Sequence, residues 1–163
     1  MTLVDRLRSV SAAALKVALA LAFLAPLATR VVVGYAFYLT GKGKWQYFEN
    51  TVTFFTELGI PFPEANAALV ATLELVGGIA LVLGLLTRFF AAGLATTMVV
   101  ALMTADKERF WASWTSASEA SPTDISAFVF LLFLSWLVLY GPGAASLDRF
   151  LARWLAPKPE PAP

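Results

Sequence analysis

The chain has no cysteine and no histidine. Without thiols there is no disulfide and no thiol redox centre. Without imidazoles there is no histidine-ligated haem, no zinc site of the usual kind and no histidine proton shuttle. No metal site is expected. Charge is scarce as well: 14% of residues are Asp, Glu, Lys or Arg, and the net charge is +1. That is too little to cover a water-facing surface and too balanced to suggest nucleic acid. Redox chemistry in this protein needs a group or a partner from outside the chain.

What the chain does have is apolar length. Its hydrophobic share is 59% and its mean hydropathy is +0.73, against about 45–50% apolar residues in an ordinary soluble domain. Apolar runs at about 12–39, 65–87, 89–105 and 125–140 predict an all-α membrane protein, a bundle of four transmembrane helices in one domain over residues 1–155. The N-terminal residues resemble a secretory leader with a cleavage site near Ala18-Leu19-Ala20, but the apolar run continues to Tyr38, so a first span is the better reading. Pro26 predicts a kink in it.

Between the first and second spans, Trp45, Phe48, Val52 and Phe55 form one apolar stripe with polar residues opposite. This predicts a short amphipathic helix lying in the interface, stopped by Gly59, Pro61 and Pro63. Residues 106–124 read as a polar loop with Trp111 and Trp114 as interface anchors, ending in Asp124 as a cap or first-turn acid. Residues 148–154 read as a short amphipathic helix and 156–163 as a disordered tail. Four spans put both termini on one side. That side collects Arg6, Arg8, Lys16, Arg88, Arg149, Arg153 and Lys158, against Lys42, Lys44, Lys107 and Arg109 on the other, which favours cytoplasmic termini.

Two charges fall inside the spans. Glu74 shares a helix face with Ala67, Ala71 and Gly78, a small-residue face suited to a neighbouring helix. An ionised carboxylate at mid-depth is costly unless paired. Arg30 lies about as far before the outer end of the first span as Glu74 lies after the outer start of the second, about 13–14 Å from the same membrane face. An Arg30–Glu74 salt bridge is therefore expected, with Gly34, Phe37 and Tyr38 on Arg30's own face further out. Arg30, Tyr38 and Glu74 become the candidate ligand pocket, and Gly34, Gly77, Gly78 and Gly84 the packing positions. Two plainer readings stand beside it: the pair only fixes helix register, or Arg30 snorkels outward without a partner. Lys42 and Lys44 read as headgroup contacts.

The ordered set Arg30-x3-Gly34-x2-Phe37 with Gly41 and Lys44, Phe55-x2-Leu58-Gly59-x-Pro61-x-Pro63, Glu74-x2-Gly77-Gly78 and Gly84-Leu85-x-Thr87-Arg88 resembles the DoxX family of small bacterial membrane proteins. Gly141-Pro142-Gly143 with Ser146-Leu147-Asp148 is similar to that family's ending. The resemblance covers roughly residues 25–150. It implies a four-span bundle in the bacterial cytoplasmic membrane and no transferable catalytic residue. Family relatives include a subunit of a thiosulfate:quinone oxidoreductase and members of oxidative-stress and thiol-detoxification complexes. The first expectation is thus a membrane subunit of a redox complex, touching the lipid bilayer and a redox-enzyme partner, with a quinone as its non-covalent cofactor. A non-catalytic scaffold is the alternative. A small-solute carrier, working as a homo-oligomer, is a third.

Overall fold

A computed structural model describes residues 3–115 and 121–155. The chain is helical, with no strand among the described residues. In order, the elements are α1 (Leu3–Leu21), α2 (Leu24–Gln46), α3 (Phe48–Glu57), α4 (Pro63–Leu83), α5 (Thr87–Met103), α6 (Lys107–Ala112), a 3-10 turn (Pro122–Asp124), α7 (Ser126–Tyr140) and α8 (Leu147–Leu155). The stretch Val10–Gln46 and α4 are long and apolar enough to cross a membrane. Helices α5 and α7 are apolar but shorter, with 17 and 15 residues. The tail 156–163 lies outside the described residues, as do residues 116–120 of the loop.

Helices α2, α4, α5 and α7 share one core, built from Val33 and Phe37, Leu81, Leu94, and Leu134 and Leu137. The closest pair is α2 with α4, and glycine makes it so. A Cβ on Gly34 would sit 2.7 Å from the Gly78 carbonyl oxygen, and one on Gly78 would sit 2.6 Å from that of Gly34. At Gly41 an added Cβ would strike the Leu75 backbone. Backbones this close give dispersion contact that bulkier residues would prevent. Gly77 faces α5 instead, where an added Cβ would meet Leu94 and Phe90 at 3.3 Å.

Three boundaries differ from the sequence expectation. The first apolar run is two helices, broken at Ala22–Phe23. Pro26 lacks the N–H that would bond the Ala22 carbonyl, and its ring crowds that carbonyl, so the break falls one turn before the proline. Second, α2 does not stop near Leu39 but runs through Gly41 and Gly43 to Gln46. The interfacial stripe is therefore divided: Trp45 belongs to α2 and Phe48 opens α3, their rings stacked at 5.2 Å. Third, the loop after α5 contains α6, whose Phe110 packs against Trp111, Trp114 and Phe128. Asp124 is a first-turn acid, its carboxylate accepting from the Ser121 N–H at 2.8 Å.

Every described side chain of α1 is exposed. Helix α8 buries none of its residues. With its apolar helices presenting Leu, Val and Phe outward, the protein is a membrane protein in contact with lipid.

Candidate functional site

The predicted Arg30–Glu74 pair does not form. Glu74, with its side chain 3% exposed, is bound by Lys44, Nζ to Oε2 at 2.5 Å. The reason is the length of α2. Gly41 touches α4 at Ala71 and Leu75, while Arg30 reaches Gly84. Along α4, Glu74 and Gly84 are ten residues apart, about 15 Å at 1.5 Å per residue. An α2 ending at Leu39 would bring Arg30 two turns closer to Glu74 than it is. Lys44, read from sequence as a headgroup contact, is instead the buried carboxylate's partner. Its own side chain is 27% exposed, so the ammonium enters from the rim and the aliphatic stem crosses the apolar wall.

Arg30 is 1% exposed and belongs to a separate cluster at the other end of the helices. Its Nε donates to the Pro26 carbonyl at 3.4 Å and its Nη2 to the Ala145 carbonyl. Nη1 has no hydrogen-bond partner among the described residues. The guanidinium occupies the space a Cβ on Gly84 would need, and Gly84 has φ +71°. Asp148 completes this end. Its carboxylate accepts from the Leu86 N–H at 2.7 Å and the Thr87 N–H at 3.0 Å, and its own N–H donates to the Gly84 carbonyl at 2.9 Å. A carboxylate on the first N–H groups of α5 is an N-cap supplied from 61 residues away.

The Lys44–Glu74 pair borders two cavities. The larger, about 340 Å³, lies between α3, α4 and α5 and is walled by residues such as Phe54, Phe55, Leu58 and Leu69. The smaller, about 190 Å³, lies between α2 and α7 and includes Thr40, Ser126 and Phe130. Lys44, Glu74 and Met98 line both. Tyr38 lines neither; its ring stacks on Tyr35 at 6.4 Å, and its backbone is what lies against Gly78.

Of Arg30, Tyr38 and Glu74, then, Glu74 alone lines these two cavities. Gly34, Gly77, Gly78 and Gly84 all stand at close contacts. The sequence hid the role of Lys44 because two glycines just before it look like a helix end. Asp148 was visible only as the first residue of an amphipathic segment and as part of the family's ending. Among the described residues, no group of three or more His, Cys, Asp or Glu side chains is arranged to hold a metal ion.

Comparison with known proteins identifies the family of the chain. The DoxX family profile matches residues 25–107, from the start of α2 through α5. The uncharacterised membrane protein Rv3486 of Mycobacterium tuberculosis (strain ATCC 25618 / H37Rv) is 34% identical over 136 residues, 76% of this chain and 79% of that protein. CatD of Bacillus subtilis (strain 168), named provisionally as an oxidoreductase, is 36% identical over 75 residues. That match spans 46% of this chain and 54% of CatD's length. No solved structure matches the chain. The matched region holds Arg30, Lys44, Glu74 and Gly84 together, and on these grounds the chain belongs to the DoxX family of membrane proteins.

Proposed function

We propose that this chain is a four-span membrane subunit of a redox complex in the bacterial cytoplasmic membrane, and that its larger cavity binds a quinone head group against Lys44 and Glu74. The observation that carries the reading is an ion pair of 2.5 Å at the wall of an apolar cavity of about 340 Å³. Ligand sites are cavities of about 300–1,000 Å³ with mostly apolar walls and a few placed polar groups. A quinone ring has two carbonyl oxygens that accept hydrogen bonds and an apolar tail that needs a lipid-like groove. When bound, it supplies electron chemistry that a chain without Cys or His does not offer from its own side chains. Lys44 Nζ is a donor for one carbonyl and holds a transferable proton. Glu74 holds that ammonium in place through the Oε2 contact. The electrons come from a redox-enzyme partner, with which thiosulfate, thiol or oxidative-stress chemistry fits. The provisional name of CatD points the same way.

The four-span arrangement is supported by the shared core. Helices α5 and α7 pack into the same apolar interior as α2 and α4, and their 17 and 15 residues span about 22–26 Å, which local thinning or their polar flanks accommodate. Helix α3 has the makeup of an interfacial helix, with Phe55 buried and Glu49 and Thr53 exposed. The excess of Arg at the α4–α5 turn and in α8 supports cytoplasmic termini.

The test is ligand binding by the purified full chain in lipid nanodiscs. A short-tailed quinone is expected to raise the melting temperature and quench tryptophan fluorescence, and both effects are expected to vanish in Lys44→Gln while the variant elutes as wild type. No response in the wild-type protein, with partner activity indifferent to quinone analogues, would remove the quinone reading. Affinity purification from mild detergent separates the subunit reading from a scaffold or carrier. Co-purification of a flavoprotein or sulfur-transfer enzyme supports the first. A chain recovered only with itself supports the others.

A further inference from the structure

Helix α8 has two faces of opposite chemistry, and the protein buries neither. Leu147, Phe150, Leu151, Trp154 and Leu155 recur at i, i+3, i+4, i+7 and i+8, so they share one side, and all five are exposed. Arg149 and Arg153 stand on the other side, exposed as well. They are one turn apart, so their like charges repel along the helix. Neither forms a salt bridge among the described residues. The one acid of the helix, Asp148, is already engaged, its carboxylate accepting from the Leu86 and Thr87 N–H groups. The start of α8 is fixed in place. The Ser146 hydroxyl accepts from the Arg149 N–H at 3.2 Å as an N-cap, Arg30 holds the Ala145 carbonyl, and Asp148 reaches the turn that follows α4. Helix α4 is long and apolar enough to cross a membrane, so that turn stands where hydrocarbon gives way to headgroups. At about 100° per residue, Asp148 lies about 90° round the helix from the middle of the apolar side. Its contact with the bundle therefore leaves the apolar side free to meet acyl chains and the arginines free to meet headgroups.

We propose that α8 lies in the plane of the membrane interface and that Arg149 and Arg153 bind the phosphate of an anionic phospholipid. A phosphate between two arginines one turn apart replaces their repulsion with charge-assisted hydrogen bonds, and each guanidinium can present two N–H groups to it. Leu, Phe and Trp on one side with Arg on the other is the makeup of helices that rest in the interface, and the ring of Trp154 suits headgroup depth. A protein occupant fits less well, because five apolar side chains fall far short of the roughly 20–30 residues a side in a stable protein interface. The preference is for a lipid of net negative charge, since the cation of a zwitterionic headgroup opposes the arginines. Exposed Arg88 follows Thr87 in the chain, donates to the Leu139 carbonyl at 3.4 Å and adds a third cation at this end of the molecule. The lipid site is independent of the ligand proposed for the larger cavity, whose walls share no residue with it.

Because the chain has no cysteine, one bimane fluorophore can be placed on either side of α8, at Phe150→Cys or at Ala152→Cys, about 160° apart round the helix. The full chain is studied in lipid nanodiscs. A nitroxide on a phospholipid acyl chain is expected to quench the label at position 150 more than that at 152, and a water-soluble nitroxide to do the reverse. Phosphatidylglycerol and phosphatidylcholine carrying the same acyl-chain nitroxide are then compared at position 150, by the lipid fraction that halves the signal. Phosphatidylglycerol is expected to be preferred, and Arg149→Gln and Arg153→Gln each to lower the preference about fivefold. Glutamine keeps the helix propensity of arginine, and elution as wild type confirms that each variant is folded. Quenching at position 150 from water alone would put α8 off the membrane, and quenching by neither agent would mean that a protein, such as a second copy of this chain, covers the apolar side. Either result overturns the proposal. Equal quenching by the two lipids, or a preference unchanged in both arginine variants, overturns the anionic headgroup site.

Discussion

Lys44 and Glu74 are 30 residues apart and bonded at 2.5 Å, with the carboxylate almost fully enclosed. Removing either partner of a buried pair costs about 3–5 kcal/mol, less here because the lysine is partly exposed. Lys44→Ala is expected to destabilise by about 2 kcal/mol and Glu74→Ala by less, since the lysine left behind can turn to solvent. The double substitution Lys44→Met/Glu74→Met is expected to recover most of the loss, as thermal denaturation of the purified variants will show. The need for a partner was legible at Glu74 from its place in an apolar run. Its identity was not, because the partner depended on where α2 ended. Gly84 was legible as a packing position, but its two constraints were not: a left-handed φ and the guanidinium of Arg30 in the space of a Cβ. Gly84→Ala is therefore expected to destabilise by about 2–4 kcal/mol, and by more than Gly77→Ala, where two flexible side chains need move only slightly.

Helix α2 carries the main lesson at the scale of elements. Gly41 and Gly43 look alike in sequence and differ in the fold. The first is pressed against the α4 backbone; the second faces open space with nothing within 4 Å of an added Cβ. Gly41→Leu is expected to separate α2 from α4 and abolish the monodisperse peak in size-exclusion chromatography. Gly43→Ala is expected to stabilise by about 0.5–1 kcal/mol, since alanine loses less backbone freedom in a helix. A glycine that terminates a helix and one that lets two helices meet give the same local signal; only the opposing helix distinguishes them. Proline was more readable. Pro26 announced a discontinuity, and the break appears one turn earlier, where its missing N–H falls. Gly59, read as the stop of the interfacial helix, follows the end of α3 with φ +69°, and Pro63 opens α4.

For the molecule as a whole, composition was enough to show a helical membrane protein, and the ordered glycines and charges were enough to show its family. Helices α4, α5 and α7 begin and end within a few residues of the apolar runs that predicted them. Sequence reasoning failed where two distant segments meet: the register of α2 against α4, and the return of the chain at Asp148 to cap α5. Neither leaves a periodicity, because each depends on register between helices rather than within one. Helix α1 contributes no buried side chain among those described, so deleting residues 3–21 is expected to leave the melting temperature of the remaining helices unchanged. A large drop would mean that α1 packs on the core in the membrane.

The contacts of Ala145 and Asp148 also bear on how the protein is made. The guanidinium of Arg30 and the open N–H groups at the start of α5 emerge from the ribosome early, but the groups that satisfy them are translated much later. Until then the nascent chain holds an arginine and a helix start that lack these partners. Completion of the C-terminal segment is thus expected to decide how long the inserted chain survives. Chains stopped after Gly143 are expected to insert and then be degraded, with a shorter pulse-chase half-life than the full chain. Asp148→Ala, losing a cap worth about 1–2 kcal/mol, is expected to fall between the two.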